Sequence, residues 1–331
     1  MVTVRAATLF RPTSMHVFVM LLLAAALFQG SLANLFTAYP ALQTAATVFS
    51  GVFVQATPFL VLGVLVSGAI AAFVSPHVLR RLLPRRESTA VGVAGLAGAA
   101  LPGCECGAVP VARRLMDQGA PSAAALTFLL AAPAINPVVL IATAVAFPGQ
   151  PEMVVARFVG SLATALVMGW VWTRIGRTEW ITARISRHEH DPHGSRWVVF
   201  AESARHDFLQ AGSYLVLGAA AAAALHVLVP SWIYDHLAGQ MLMAIVVMAL
   251  LAVVLALCSE ADAFVAASLS MLPLLPRLVF LVVGPAVDVK LVAMQAGSFG
   301  RAFAVRFAPL TFVVAVVCAC IAGYAVLGGA R

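Results

Sequence analysis

Charge is what this sequence has least of. Of its 331 residues, 20 are Lys or Arg and 13 are Asp or Glu, 10% in all, against roughly a quarter in an ordinary soluble domain. So few charges cannot cover a core with the polar shell that a soluble domain needs. Intrinsic disorder is excluded too, because disordered chains are polar and this one is 62% hydrophobic, with a mean hydropathy of +1.00. Lysine is nearly missing. Lys290 is the only one and sits in no Gly-x-x-x-x-Gly-Lys-Ser/Thr loop, which argues against an ATPase within the chain. The His-Glu-x-x-His of a zinc protease is also absent. The five cysteines, Cys104, Cys106, Cys258, Cys318 and Cys320, lie in or beside apolar segments and imply no extracellular disulfide framework.

What is present is a series of long apolar runs. They are continuous and rich in Ala, Leu and Val, unlike the short alternating strands of an outer-membrane barrel, so the class is an all-α polytopic membrane protein. Taking about 20 apolar residues per crossing, about eight spanning helices fall near 15–36, 45–74, 122–147, 153–173, 208–229, 237–258, 278–299 and 306–328. The net charge of +7 does not point to nucleic acid. All the basic residues but Lys290 are Arg, and nearly all sit at the ends of apolar runs, as topogenic charges do.

Residues 1–40 read as an N-terminal anchor helix. Arg5 and Arg11 precede its apolar core and Ser31-Leu32-Ala33 resembles a cleavage site, but the apolar stretch exceeds a usual signal core, which favours retention. A shorter apolar piece, 90–103, ends in Pro102-Gly103-Cys104-Glu105-Cys106-Gly107, a sequence that breaks helices. If that piece crossed the bilayer, Arg174, Arg177, Arg184, Arg187, Arg196 and Arg205 would lie opposite to Arg80, Arg81, Arg85 and Arg86. A re-entrant hairpin places all of them, with Arg113 and Arg114, on the cytoplasmic side, in keeping with the positive-inside rule. Irregular backbone at that depth must be buried in protein or line a wet cavity, so the hairpin tip is a candidate site.

The segment 174–207 is the only sizeable polar stretch and reads as a cytoplasmic Arg/His-rich linker. Its His188-Glu189-His190-Asp191-Pro192-His193 run contains metal-ligand residue types, but a solvated linker is the preferred reading and any metal site is left open.

The linker joins two related halves, 45–173 and 208–331. Phe53-Val54-Gln55-Ala56 with Phe59-Leu60-Val61-Leu62-Gly63 reappears as Phe208-Leu209-Gln210-Ala211 with Tyr214-Leu215-Val216-Leu217-Gly218. Cys104-Glu105-Cys106 with Val111-Ala112 and Leu115 aligns on Cys258-Ser259-Glu260 with Val265-Ala266 and Leu269. Phe128-Leu129, Pro133-Ala134, Asn136 and Phe147 align on Phe280-Leu281, Pro285-Ala286, Asp288 and Phe299. Three matches in the same order indicate duplication, and the hairpin topology makes the two repeats inverted. Interrupted helices at matched places of inverted repeats mark the midplane sites of many secondary transporters.

Charged groups inside apolar segments cost about 2.5 to 3.5 kcal/mol at a helix centre and are usually paired or functional. Here they are Glu105, Glu260, Asp262, Asp288 and Lys290. Helix breaks are expected around Pro102, Gly103, Gly107 and Pro110, around Pro133 and Pro137 beside Asn136, and around Gly284 and Pro285 beside Asp288. Cys104, Cys106 and Cys258 offer soft sulfur, while Glu105, Glu260, Asp262, Asp288 and Asn136 offer oxygen for protons or harder cations. Glu260, Asp262, Asp288 and Lys290 are the proton-coupling candidates. Asp288 and Lys290, two apart, point to different faces of a helix and are each expected to pair with another span. Cys318 and Cys320 read as small buried hydrophobes.

The run Gly103-Cys104-Glu105-Cys106-Gly107-Ala108-Val109-Pro110-Val111-Ala112-Arg113-Arg114-Leu115, then Gly119-Ala120-Pro121 and Phe128 to Pro137, resembles the signature of the predicted permease family, UPF0718-like, that includes the ArsP-type organoarsenical efflux permeases. Cys258 to Ala266 and Gly284-Pro285-Ala286-Val287-Asp288-Val289-Lys290 resemble it as well, so the likeness runs from about residue 50 to the end. Family members often carry Cys-Ser-Cys at the first motif, where this chain has Glu105 in the middle. The resemblance implies a multi-pass inner-membrane permease, exporting trivalent organoarsenicals in some members and working with a second, separately encoded subunit in many.

The leading reading is therefore a proton-coupled secondary transporter exporting a small thiophilic substrate, such as a trivalent organoarsenical or a soft metal species. The alternatives are a channel or membrane subunit of a two-component permease, and an intramembrane thiol enzyme. Cys104-Glu105-Cys106 is too tight for the usual Cys-x-x-Cys redox motif, which weighs against the enzyme. No cofactor is expected. The partners implied are the lipid bilayer, the substrate, protons, and a second permease subunit or a second copy of the chain.

Overall fold

The computed structural model describes residues 39–74, 84, 86–101, 104–181, 195–228 and 240–328. Nearly all of the anchor segment 1–40, Pro102, Gly103 and the His188 to His193 run lie outside the described residues. The described chain is helical throughout. Its helices are α1 (Pro40–Phe73), α2 (Glu87–Ala97), α3 (Glu105–Asp117), α4 (Ser122–Ile135), α5 (Pro137–Ala146), α6 (Pro151–Ile175), α7 (Arg196–Leu228), α8 (Met241–Leu255), α9 (Ser259–Ser268), α10 (Leu274–Ala286), α11 (Val289–Ser298) and α12 (Arg301–Val326), with 3-10 turns at Gly98–Ala100 and Thr178–Trp180.

Local chemistry sets many of the ends. Pro40, Pro137 and Pro151 each occupy the first turn of their helices, where a missing N–H costs nothing. Glu152 in the first turn of α6 and Arg174 in its last complement the helix dipole. Five stretches are long and apolar enough to cross a bilayer: α1, the α4–α5 pair, α6, the α10–α11 pair and α12. The protein is a multi-pass membrane protein.

Several expectations are corrected. The polar stretch 174–207 is not all linker, because α7 starts at Arg196 and carries the expected span 208–229 as its continuation. The expected span 237–258 is α8, only 15 residues long, since Ala256 turns left-handed and ends it. Gly107 and Pro110 do not break a helix and lie inside α3. Pro133 lies inside α4, and Gly284 and Pro285 inside α10. A buried proline removes one hydrogen bond, and surrounding helices hold the rest of the turn. The actual interruptions fall just after, at Asn136 and at Val287 and Asp288.

The orientation of α2 and α3 follows from their neighbours. Gly63 of α1 lies on Gly107 of α3, and Ser67 lies on Pro110, so the two helices run parallel. Gly95 of α2 and Gly98 of the turn that follows it lie on Thr127 and Ala131 of α4, again parallel. A short turn through Gly119 joins α3 to α4, which pack against each other as an antiparallel helical hairpin. Thus α2 and α3 run in opposite directions.

The sequence matches fall on elements of the same rank in each half, with α1 to α6 answering to α7 to α12. Matched helices meet head to tail. Leu60, Ser67 and Phe73 of α1 contact Gly212, Asp207 and Trp197 of α7. Likewise Gly160 of α6 faces Ala319 and Ala322 of α12, while Trp172 packs on Phe303 and Phe307. The half-helices interlock across this arrangement, α3 packing on α11 and α9 on α5.

Candidate functional site: a buried centre of thiols and ion pairs

Three helix starts meet between the halves through Glu105, Ser259, Asp288 and Lys290, and α5 starts at the position matched to α11. Cys104 precedes α3, Cys258 precedes α9, Asn136 precedes α5 and Asp288 precedes α11. The two polar caps work on their own helices. Asn136 accepts from the Val139 N–H at 3.0 Å and donates to the Ala132 carbonyl at 2.9 Å, which bridges the break between α4 and α5. Asp288 accepts from the Leu291 N–H at 2.5 Å through Oδ1.

Cys104, Cys106 and Cys258 are all buried. Cys258 precedes Ser259, whose hydroxyl reaches Glu105 between the other two, so a thiol of the second half lies beside the pair of the first. The ligand atoms of Cys104, Glu105 and Cys106 lie within 4.8 Å of one another. Cys318 and Cys320 stand apart in α12, where Cys318 is buried and Cys320 half-buried, as expected of small apolar side chains.

Glu105 is fully buried. Its Oε1 lies 2.5 Å from Lys290 Nζ, and the Ser259 hydroxyl donates to its Oε2 at 3.4 Å. Lys290 also donates to the Ala256 carbonyl at 3.1 Å. Ala256 takes φ 48°, a left-handed conformation that costs an alanine on the order of 1 kcal/mol or more, so local strain is spent on turning the end of α8 toward the lysine. Asp288 Oδ2 lies 3.6 Å from the same ammonium. This corrects the expected separation of Asp288 and Lys290. Asp288 is an extended cap residue, so its side chain folds over the first turn instead of following the helical spacing.

The functional residue that the sequence reading missed is Arg157. It is fully buried on α6, donating to Thr143 Oγ1 of α5 at 2.7 Å and to the Ser259 carbonyl at 2.8 Å. Its Nη2 stands 4.0 Å from Asp262 Oδ2, which also presses on Gly284, where a Cβ would fall 2.8 Å away. A lone arginine inside the run 153–173 was the available signal, but the general assignment of arginines to topology absorbed it. Asp207 was passed over as linker. It accepts from Ser67 at 2.6 Å and from Arg114 at 3.1 Å, tying α1, α3 and α7 together.

Glu260 is half-buried, yet both of its carboxylate oxygens are buried and have no hydrogen-bond partner. The centre thus holds Glu105, Glu260, Asp262 and Asp288 against Lys290 and Arg157. With every group ionised it would carry two negative charges in excess, an arrangement that a low-dielectric site tolerates only with protons or cations to neutralise it.

A family model described as "Predicted permease" matches residues 41–324, which contain the whole of this centre. The chain belongs to the predicted permease family. It is 35% identical over 278 residues to the UPF0718 protein YcgR of Bacillus subtilis strain 168, covering 82% of this chain and 94% of the relative. It is 32% identical over 282 residues to a Streptococcus mutans protein named "Putative two-component membrane permease complex subunit", covering 83% and 94%. No solved structure matches the chain.

Proposed function

We propose that this permease is a proton-coupled secondary transporter of the inner membrane, exporting a small thiophilic substrate such as a trivalent organoarsenical or a soft metal species. One observation carries the reading: Cys104, Glu105 and Cys106 bring their ligand atoms within 4.8 Å of one another and are joined to the second half through Ser259 and Lys290, in a buried centre of four acids and two bases. Sulfur ligands select soft, thiophilic partners. The two excess acids can exchange protons for a cationic load. The head-to-tail pairing of α1 with α7 and of α6 with α12 supports inverted repeats, and with them alternating access around a midplane site.

The reading is tested in vesicles containing the purified protein. Arsenite, methylated or phenylated trivalent arsenicals, zinc and copper are offered with and without a pH gradient. Gradient-driven accumulation of one of them supports the transporter. Flux of none refutes it.

A second reading is favoured by the name of the streptococcal relative, in which this chain acts as the membrane subunit of a two-component permease. Under it, the purified chain alone is inactive, and flux appears only when a separately encoded subunit co-purifies with it.

A further inference from the structure

The two halves do not bury their matched helices alike. Every residue of α3 from Glu105 to Ala112 is buried, whereas the matched helix α9 buries only Ser259, Asp262, Ala263 and Ala266. Phe264 of α9 is 52% exposed where its counterpart Pro110 is buried. In the other matched pair Lys290 of α11 is buried and its counterpart, Val138 of α5, is 43% exposed. Among the described residues, the α3–α11 unit is thus covered and the α9–α5 unit is not.

The cover is the antiparallel pair α1 and α7. Gly63 of α1 sits on Gly107 of α3, so close that a Cβ would fall 2.3 Å from the Gly107 Cα. Gly218 of α7 sits on Lys290 of α11, where a Cβ would fall 2.7 Å from the Lys290 Cα. Among the described residues neither α1 nor α7 packs along α5 or α9. Yet Gly63 and Gly218 are matched positions, and so are Gly107 with Ala261 and Lys290 with Val138.

An asymmetric seat on a nearly symmetric frame implies the reciprocal seat. We propose that the α1–α7 pair moves as one body from α3 and α11 to α5 and α9, bringing Gly218 onto Ala261 and Gly63 onto Val138. The thiol and acid centre then faces alternate sides of the membrane. This rests on the permease reading and specifies which helices carry the movement. Ala261 and Val138 suit the reciprocal seat because neither carries a long side chain, and apolar side chains exchange lipid for helix at little cost. Each interlocked unit keeps its own tether while the pair moves. Glu105 and Lys290 hold α3 to α11, and Arg157 holds Thr143 of α5 to Ser259 at the start of α9. A rigid frame with a mobile pair is the rocking class of transporter movement.

The test uses spin labels on Ile141→Cys of α5 and Leu217→Cys of α7, positions 63% and 62% exposed, in a Cys320→Ser background. Ala261→Leu adds bulk at the reciprocal seat, at a half-buried position of α9. Gly107→Ala puts a Cβ 2.6 Å from the Phe59 carbonyl, obstructing only the observed seat. The expected result is two label separations in the parent protein, the longer alone in Ala261→Leu, and a shift toward the shorter in Gly107→Ala. Flux should fall at least tenfold in Ala261→Leu, with elution and melting unchanged. One separation common to all three proteins overturns the proposal, as does parental flux in Ala261→Leu. The separations need no substrate, so two separations without flux of any solute refute the permease reading while the movement stands.

Discussion

Lys290 reaches across the halves to Glu105, Nζ to Oε1 at 2.5 Å, with both side chains buried. Neither charge could remain at that depth alone. Removing Lys290 leaves Glu105 and Asp288 uncompensated, at a cost of about 3 to 5 kcal/mol, whereas removing Glu105 leaves Lys290 its contact with Asp288 and costs less. Lys290→Met is expected to lower stability in detergent by that amount and Glu105→Gln by less, and the double variant to lose less than the sum. Thermal or denaturant melting of the four proteins closes the cycle.

Arg157 donates in two directions that an ammonium cannot reproduce. Arg157→Lys keeps a charge near Asp262 but cannot hold Thr143 and the Ser259 carbonyl together. Flux at least tenfold lower, about 1.4 kcal/mol in the barrier, is expected from Arg157→Lys. Equal flux in the lysine variant would mean that only the charge matters.

Glu260 has no hydrogen-bonding partner to lose. Glu260→Gln is therefore expected to fold and melt like the parent, while flux no longer responds to a pH gradient. Asp262→Asn is expected to lose the same response and some stability as well, because it leaves Arg157 without its acid.

The sulfur atoms divide into two sets. Cys104→Ser, Cys106→Ser and Cys258→Ser are each expected to weaken retention of phenylarsine oxide by the purified protein at least tenfold. Cys318→Ser and Cys320→Ser, distant in α12, are expected to leave it unchanged.

Gly284 leaves room for Asp262. Placing a Cβ there, 2.8 Å from Asp262 Oδ2, forces the carboxylate away from Arg157. Gly284→Ala is expected to cost about 1 to 3 kcal/mol by melting.

The broad architecture was legible because the bilayer imposes it: apolar length marks spans. The acids at the breaks were legible because charge is costly in lipid. Arg157 was not, since an arginine in a span looks locally like those that set topology, and only the fold brings Ser259 to it. The Asp288 contact with Lys290 was misread because helical spacing does not apply at a cap. Gly107 was taken for a breaker, because sequence does not distinguish a glycine that ends a helix from one that lets α1 approach α3. The approach of Ser259 to Glu105 comes from packing between distant helices that no local pattern encodes.

The most direct measurement is uptake of a phenylated trivalent arsenical into vesicles containing the purified protein, with an imposed pH gradient, for the parent and for Glu260→Gln. The account predicts gradient-driven accumulation in the parent and none in the variant. Accumulation of the same size in both, or none in either, would contradict it.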